Sequence, residues 1–201
     1  TIWFGDGWAA KLVLSYCRGF PQHRGKRRLG EALARMLTGG KVPVRSPTGA
    51  RLRVDLTDWI GRTIAYEGGY EPKSISLAAR LMEGGGSFVD VGCNFGLYTC
   101  AVGMVPRVRC ISIDASFTAL TKLADNLRLN PAVDSAVVNC ALAGDSQMYC
   151  FDVPQDGNLG TTRVTQDESG RSASRFWVLG TRLDAVLKRV GSGPVRLDEA
   201  A

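Results

Sequence analysis

The 201-residue chain has a single histidine, His23, and no C-x-x-C pair among its six cysteines. A structural zinc site needs four nitrogen or sulfur ligands at characteristic spacings, so this composition argues against one. Cys17, Cys93, Cys100, Cys110, Cys140 and Cys150 fall in or beside apolar stretches. There a reduced cysteine packs as a small hydrophobe, with a disulfide as the alternative. Long hydrophobic runs are also missing: none reaches the roughly 18 to 20 residues that span a bilayer, and Lys11 interrupts the longest early one. Charges follow the apolar N-terminus instead of preceding it, the wrong polarity for a secretory signal, so a cytoplasmic chain is expected.

What is present is a globular composition, 45% hydrophobic and 22% charged, in a chain long enough for one good-sized core. The formal net charge of +6 is unevenly placed, with Arg18, Arg24, Lys26, Arg27 and Arg28 crowded around His23. Such a cluster suits phosphate, anionic lipid or an acidic substrate, or is simply a solvated surface. No aromatic residues interleave these charges as a stacking platform would require, which argues against a nucleic-acid partner. Leu29, Leu33, Met36 and Leu37 then recur at helical spacing before Gly39 and Gly40, predicting an amphipathic helix packed on its own domain.

The stretch that organises the chain is Phe88-Val-Asp-Val-Gly-Cys-Asn-Phe-Gly96, an apolar run that breaks into an acid and two glycines. Phe88, Val89 and Val91 predict a parallel strand covered on both faces. Gly92 and Gly96 predict a tight turn whose backbone N–H groups can approach a ligand, followed by a helix from about Leu97 to Met104. A dinucleotide turn is written G-x-G-x-x-G. Here Asp90 stands where its first glycine belongs, and a carboxylate there would repel a pyrophosphate but suits a ligand that presents an ammonium. S-adenosylmethionine is such a ligand, with an amino-acid tail and no phosphate. The plain alternative is a strand-to-helix turn with a solvated or capping Asp90. A second apolar strand, Val108 to Ile113, ends at Asp114, where an acid can accept from both ribose hydroxyls or can cap a helix ahead of Ser116.

Around these motifs, Val42 to Arg45 and Arg51 to Val54 flank Ser46-Pro47-Thr48-Gly49 as a predicted hairpin. Pro72 is placed for the first turn of a helix carrying Ile75, Ala78, Ala79 and Met82 along one side, with Glu71 at its N-terminus as a capping or ligand-contacting carboxylate. Phe117, Leu120, Ala124 and Leu127 form a helical face that stops at Asn130-Pro131. Val137 to Ala141 is a third short strand, whose exit through Asn139 to Leu142 would lie on the same edge as the two earlier turns. Met148 to Val153, the Gly157-Asn158-Leu159-Gly160 turn, Thr161 to Val164 and Phe176 to Leu179 read as an antiparallel insertion. Thr181-x-x-Asp184 resembles a capping box ahead of a helix carrying Leu183, Val186, Leu187 and Val190. Val195 to Asp198 looks like the start of a fourth strand.

In this order the motifs resemble those of the FkbM family of S-adenosylmethionine-dependent methyltransferases. The carrying residues are Gly69-Tyr70-Glu71-Pro72, Val89 to Gly96, Asp114, Asn139 to Leu142, the Gly157 to Gly160 turn and Thr181-Arg182-Leu183-Asp184, over about Val42 to Asp198. The resemblance implies an α/β fold of the class I methyltransferase type, Rossmann-like, with a mostly parallel sheet and helices on both faces. Residues 1–41 would be a basic helical extension and residues 42–201 the methyltransferase domain. It implies S-adenosyl-L-methionine as cofactor, held by Glu71, Asp90, Gly92, Cys93, Asn94, Gly96, Asp114, Ser116, Asn139 and Ala141, and O-methylation of a small molecule or sugar hydroxyl. Cys93 stands where the family usually has Ala, and Asp114 where Glu is usual, which keeps the acid and shortens its reach. Asp198 is the one candidate base on the expected edge. The family continues its fourth strand into further strands, so the sheet is expected to be incomplete at the C-terminus, as in a fragment, a truncated product or a chain completed by another. Two alternatives stand beside the methyltransferase: an inactive cofactor-binding half-domain, and a basic RNA-modifying or nucleic-acid-binding protein.

Overall fold

The computed structural model describes residues 7–153, 163–164 and 175–191. Two helices come first, α1 (Trp8–Gly19) and α2 (Lys26–Thr38), followed by the predicted hairpin β1 (Lys41–Arg45) and β2 (Arg51–Asp55). The hairpin strands are antiparallel, with Val42 opposite Val54 and Val44 opposite Leu52. Helix α3 (Trp59–Glu67) begins where Asp58 Oδ1 accepts the N–H groups of Ile60 and Gly61, and it ends at Gly68, whose φ of +91° a side chain would resist. Helix α4 (Pro72–Leu81) has its proline in the first turn, where no N–H is needed.

The centre of the molecule is mixed α/β, with a parallel three-stranded sheet ordered β3 (Gly86–Val91), β4 (Val108–Asp114), β5 (Asp134–Asn139). Helix α5 (Leu97–Val102) links the first pair and α6 (Phe117–Arg128) the second. The central strand β4 shows why both faces must be apolar. Its Ile111 and Ile113 pack with Val89, Val138 and, from near the end of the described chain, Leu183, Val186 and Leu187, whereas Cys110 packs with Val102, Phe88, Ala78 of α4 and Met82 just after it. A third cluster joins Val13, Leu14, Leu52, Leu56, Ile75, Leu97 and Leu123, so α1, the hairpin, α4, α5 and α6 share one core.

Beyond β5 the chain forms β6 (Ala141–Leu142), β7 (Met148–Asp152), β8 (Arg163–Val164) and β9 (Arg175–Thr181), then α7 (Leu183–Val190). β7 pairs antiparallel with β8 and β9, as expected of the insertion, while β9 also pairs in parallel with β6. The Gly157 to Gly160 turn and the Val195 to Asp198 segment lie outside the described residues.

Several expectations are corrected. The face of α2 that packs is Lys26, Gly30 and Ala34 with Leu33 and Leu37 beside them; Leu29 and Met36 are exposed. The reason is steric: a Cβ on Gly30 would overlap the Tyr66 hydroxyl, so the small-residue side sits closest to α3. On α6 the buried residues are Ala119, Leu120, Leu123 and Asn126, and Phe117 stands outside. Thr181 is the last residue of β9 and not a helix cap; Asp184 instead pairs with Arg182 at 2.9 Å. The third strand starts at Asp134, three residues earlier than its apolar run suggested. Val91 is 56% exposed, because it ends β3, which among the described residues has a strand neighbour on one side alone.

Two asparagines fasten the hairpin to the sheet's helices. Asn126 Oδ1 accepts from Arg53 N at 2.8 Å while its Nδ2 donates to Phe95 O at 2.9 Å. One turn on, Asn130 accepts from Arg51 N at 2.8 Å and donates to Arg51 O at 2.6 Å. Both are buried, and together they supply backbone partners to β2 on the side away from β1.

Candidate functional site

The carboxyl ends of β3 and β4 lie side by side, with Asp90 in register with Ser112 and Asp114 with Asn139 of β5. Open α/β sheets hold ligands at this edge. Asp90 Oδ2 accepts from the Thr99 backbone N–H at 2.9 Å and from Thr99 Oγ1 at 2.5 Å. Thr99 is in the first turn of α5, so the carboxylate satisfies one of the orphan N–H groups of that helix. The capping alternative for Asp90 is therefore realised in part.

A chain of hydroxyls continues from it: Thr99 Oγ1 to Ser112 Oγ at 2.7 Å, and Ser112 Oγ to Ser135 Oγ at 2.9 Å. Each hydroxyl has one hydrogen, and an ionised carboxylate can only accept. Thr99 therefore donates to Asp90, Ser112 to Thr99 and Ser135 to Ser112, a relay of aligned dipoles across three strands that stabilises negative charge on Asp90. Burial works against it and raises the Asp90 carboxyl above the usual carboxylate value; the Thr99 bonds offset part of that rise.

Between the acids runs the glycine turn. Gly92, Asn94 and Gly96 all have positive φ, of 71°, 47° and 84°. At Gly96 a Cβ would meet Leu123 Cδ1 in the core, whereas at Gly92 it would meet no atom within 4 Å. Gly92 thus leaves room for a ligand to approach the backbone. The expectation that the turn's N–H groups face a ligand is corrected for four of the five. Gly92 and Cys93 donate to Ile113 O at 2.8 and 3.1 Å, Gly96 to Cys93 O at 2.8 Å, and Asn94 to Asp114 Oδ2 at 2.9 Å. The cause is the parallel pairing of β3 with β4, which continues past Val91 into the turn.

Asp114 therefore joins the glycine turn directly. Its other oxygen, Oδ1, accepts from Ser116 N at 2.8 Å, and Ser116 Oγ in turn caps α6 through Ala119 N. Ser116 is a helix cap here. Asn139 donates both amide hydrogens inward, to Asp114 O at 2.9 Å and Ala115 O at 3.0 Å, and keeps its own Oδ1 as an acceptor. Ala141 is buried and pairs with Gly180. Cys93 is buried, and burial raises its thiol pKa, as for a packed hydrophobe. All six cysteines are free and buried, and no group of residues among those described could hold a metal ion.

Glu71 is drawn to the same region by a different route than capping. Its φ of +47° turns it away from α4, and its Oε2 accepts from Tyr98 Oη at 2.6 Å. Tyr98 is the second residue of α5, directly after the glycine turn; burial and Glu71 push its hydroxyl up to about 12. Beside Glu71 lies a hollow of about 490 Å³ lined by Trp59, Tyr70, Tyr66, Arg62 and Glu67. The structure thus brings together Asp90, Gly92, Cys93, Asn94, Gly96, Asp114, Ser116 and Asn139, with Glu71 tethered through Tyr98. Asp198 lies outside the described residues.

Sequence reasoning missed Thr99, Ser112, Ser135 and Tyr98. For Thr99 a signal existed, a hydroxyl in the first turn of a predicted helix that follows an acid; for Ser112 and Ser135, single serines inside apolar strands were the sign.

Among the described residues no helix is long and apolar enough to cross a membrane. No protein-family model matches the chain, and a search of curated proteins finds no match.

Proposed function

We propose that this chain is an S-adenosylmethionine-dependent methyltransferase of the FkbM type, built on a class I methyltransferase sheet and acting on a hydroxyl of a small molecule or sugar. The observation that carries the reading is the distribution of donors and acceptors at the sheet edge. The N–H groups of Gly92, Cys93, Asn94 and Gly96 are taken up inside the chain. A phosphate, which needs free N–H donors, is poorly served by such a turn. The acceptors are left over: each Asp114 oxygen takes one N–H and keeps a lone pair, Asp90 uses Oδ2 alone among the described residues, and Asn139 keeps Oδ1. Such an edge favours a ligand that donates, with an ammonium for Asp90 and ribose hydroxyls for Asp114.

These residues fit S-adenosylmethionine, which when bound supplies an electrophilic methyl on its sulfonium. The protein's part is then binding, orientation and exclusion of water. Asp90, held by Thr99 and the hydroxyl relay, would fix the amino-acid end; Gly92 gives the backbone clearance; Asp114, locked between the glycine turn and the start of α6, would fix the ribose. The hollow beside Glu71 is the acceptor side in this reading, and its aromatic wall at Trp59 and Tyr70, with ring centroids 5.6 Å apart, would shield a bound acceptor from water.

The test is titration of the full chain with S-adenosylmethionine, with NAD as the control ligand. Selective binding of the former, weakened in Asp90→Asn, is the expected result. Preference for NAD, or equal affinity in the variant, would overturn the assignment.

A further inference from the structure

The charge of this protein is concentrated in its first two helices. From Trp8 to Thr38 there are seven Lys and Arg and one acid, Glu31, so this segment alone carries +6, equal to the net charge of the whole chain. Three of these charged residues have tasks inside the fold. Arg18 donates to the α3 carbonyls Ala65 O and Ile64 O at 2.9 and 3.1 Å. Lys26 is buried, donates to Phe20 O at 2.5 Å and sits over the Tyr66 ring at 5.8 Å. Glu31 is paired with Arg62 at 3.2 Å and so neutralises none of its neighbours. Lys11, Arg24, Arg27, Arg28 and Arg35 remain, all exposed.

Apolar side chains stand among them. Helix α1 buries Ala10, Val13, Leu14 and Cys17 on one side, which at helical spacing puts Trp8 and Leu12 on the opposite side, 72% and 49% exposed. At its end Phe20 is 58% exposed, its ring 5.1 Å from that of Tyr16. On α2, which packs against α1, Met36 and Leu29 are exposed next to Arg35 and Arg28. A helix that is apolar on both sides, with one side left outside and cations around it, has the composition of an interfacial element: aromatic and aliphatic residues for the headgroup boundary, Lys and Arg for anionic lipid.

We propose that the α1–α2 pair docks this protein on an anionic bilayer surface. Trp8, Leu12 and Phe20 enter the interface, and Lys11, Arg24, Arg28 and Arg35 meet the headgroups. The expectation that no aromatic stands among these charges is corrected, since Phe20 lies between Arg18 and Arg24 and Trp8 is three residues before Lys11; the aliphatic Leu12, Leu29 and Met36, on which no base can stack, favour a bilayer over a nucleic-acid platform. The unneutralised cations favour a negatively charged surface over an ordinary apolar contact between proteins. This inference is independent of the methyltransferase reading.

The experiment is co-sedimentation of the full chain with vesicles of phosphatidylcholine, with and without phosphatidylglycerol, across a range of salt. Binding to the phosphatidylglycerol vesicles that weakens as salt rises is expected. The double variant Trp8→Ser, Leu12→Ser should lower partitioning by about tenfold or more, since both side chains lose their insertion energy. Arg28→Glu with Arg35→Glu should lower it by a similar factor of about ten or more, and remove the preference for anionic lipid. All four positions are exposed, so circular dichroism should remain that of the wild type. Absence of vesicle binding, binding indifferent to lipid charge, or retention on RNA in place of vesicles would each overturn the proposal. So would self-association through these residues without lipid binding.

Discussion

At the carboxyl edge of the parallel sheet, Asp90 and Asp114 are enclosed by donors from their own chain, whereas in the α1–α2 pair five cations face solvent with the fold asking nothing of them. The two regions hold opposite charge by opposite means. A carboxylate turned inward does structural work through the hydrogen bonds it accepts, so truncating it perturbs the fold together with any ligand site. Charge turned outward has no structural duty, so removing it reads binding alone. The difference also bears on design of experiments: at the sheet edge an isosteric change is informative and a truncation is not.

The largest effect that would sharpen this contrast is expected at Asn126, which is buried and ties Arg53 to Phe95. Asn126→Ala leaves the part-buried Arg53 N–H and the buried Phe95 C=O without partners and should cost about 2–4 kcal/mol, measured by urea denaturation. A cost within the scatter of surface substitutions would mean that the hairpin is not fastened through α6.

Next comes Asp90. Asp90→Ala removes the acceptor of both Thr99 bonds and should destabilise by about 1–3 kcal/mol. Asp90→Asn keeps an oxygen for Thr99 and should fold as well as the wild type. The pH dependence has a definite sign. Burial raises the folded Asp90 pKa above its unfolded value, so the stability this group contributes is complete below the ordinary carboxylate value and is lost as pH rises through the raised one. Asp90→Asn lacks that loss, and the stability difference should therefore shift in the variant's favour from about pH 4 toward neutrality. A difference that is flat with pH would mean that burial does not disfavour the charge.

The smallest effect belongs to the cations. Arg28→Glu should change stability by no more than about 0.5 kcal/mol, as expected of a surface position. A larger loss, seen in thermal melting, would show that the exposed charges are part of the fold after all.

Much of the frame was legible in the sequence. The hairpin could be read from Val42 to Val54 because strand alternation and a Pro-Gly turn are local signals, and Pro72 fixed the start of α4 for the same reason. The edge bearing Asp90 and Asp114 followed from two apolar strands ending in acids. What the residues hid was long-range. Whether Asp90 faces a ligand or Thr99 depends on where α5 begins, and the direction of the turn's N–H groups depends on β4 pairing past Val91. Helix faces were misjudged where size overruled hydropathy. Gly30 and Ala34 pack in α2 because Tyr66 needs the room, leaving Leu29 and Met36 outside. Asn130 read as a helix stop, and its service to β2 required the fold.

The most direct measurement is calorimetric titration of the intact chain and of Asp90→Asn with S-adenosylmethionine, both shown first to unfold cooperatively. Saturable binding to the wild type, weakened in the variant with no loss of stability, is the expected result, because the carboxylate charge would be acting on the ligand's ammonium. Equal binding by the two folded proteins, or none by the wild type, would contradict the assignment and leave Asp90 as a helix-capping residue.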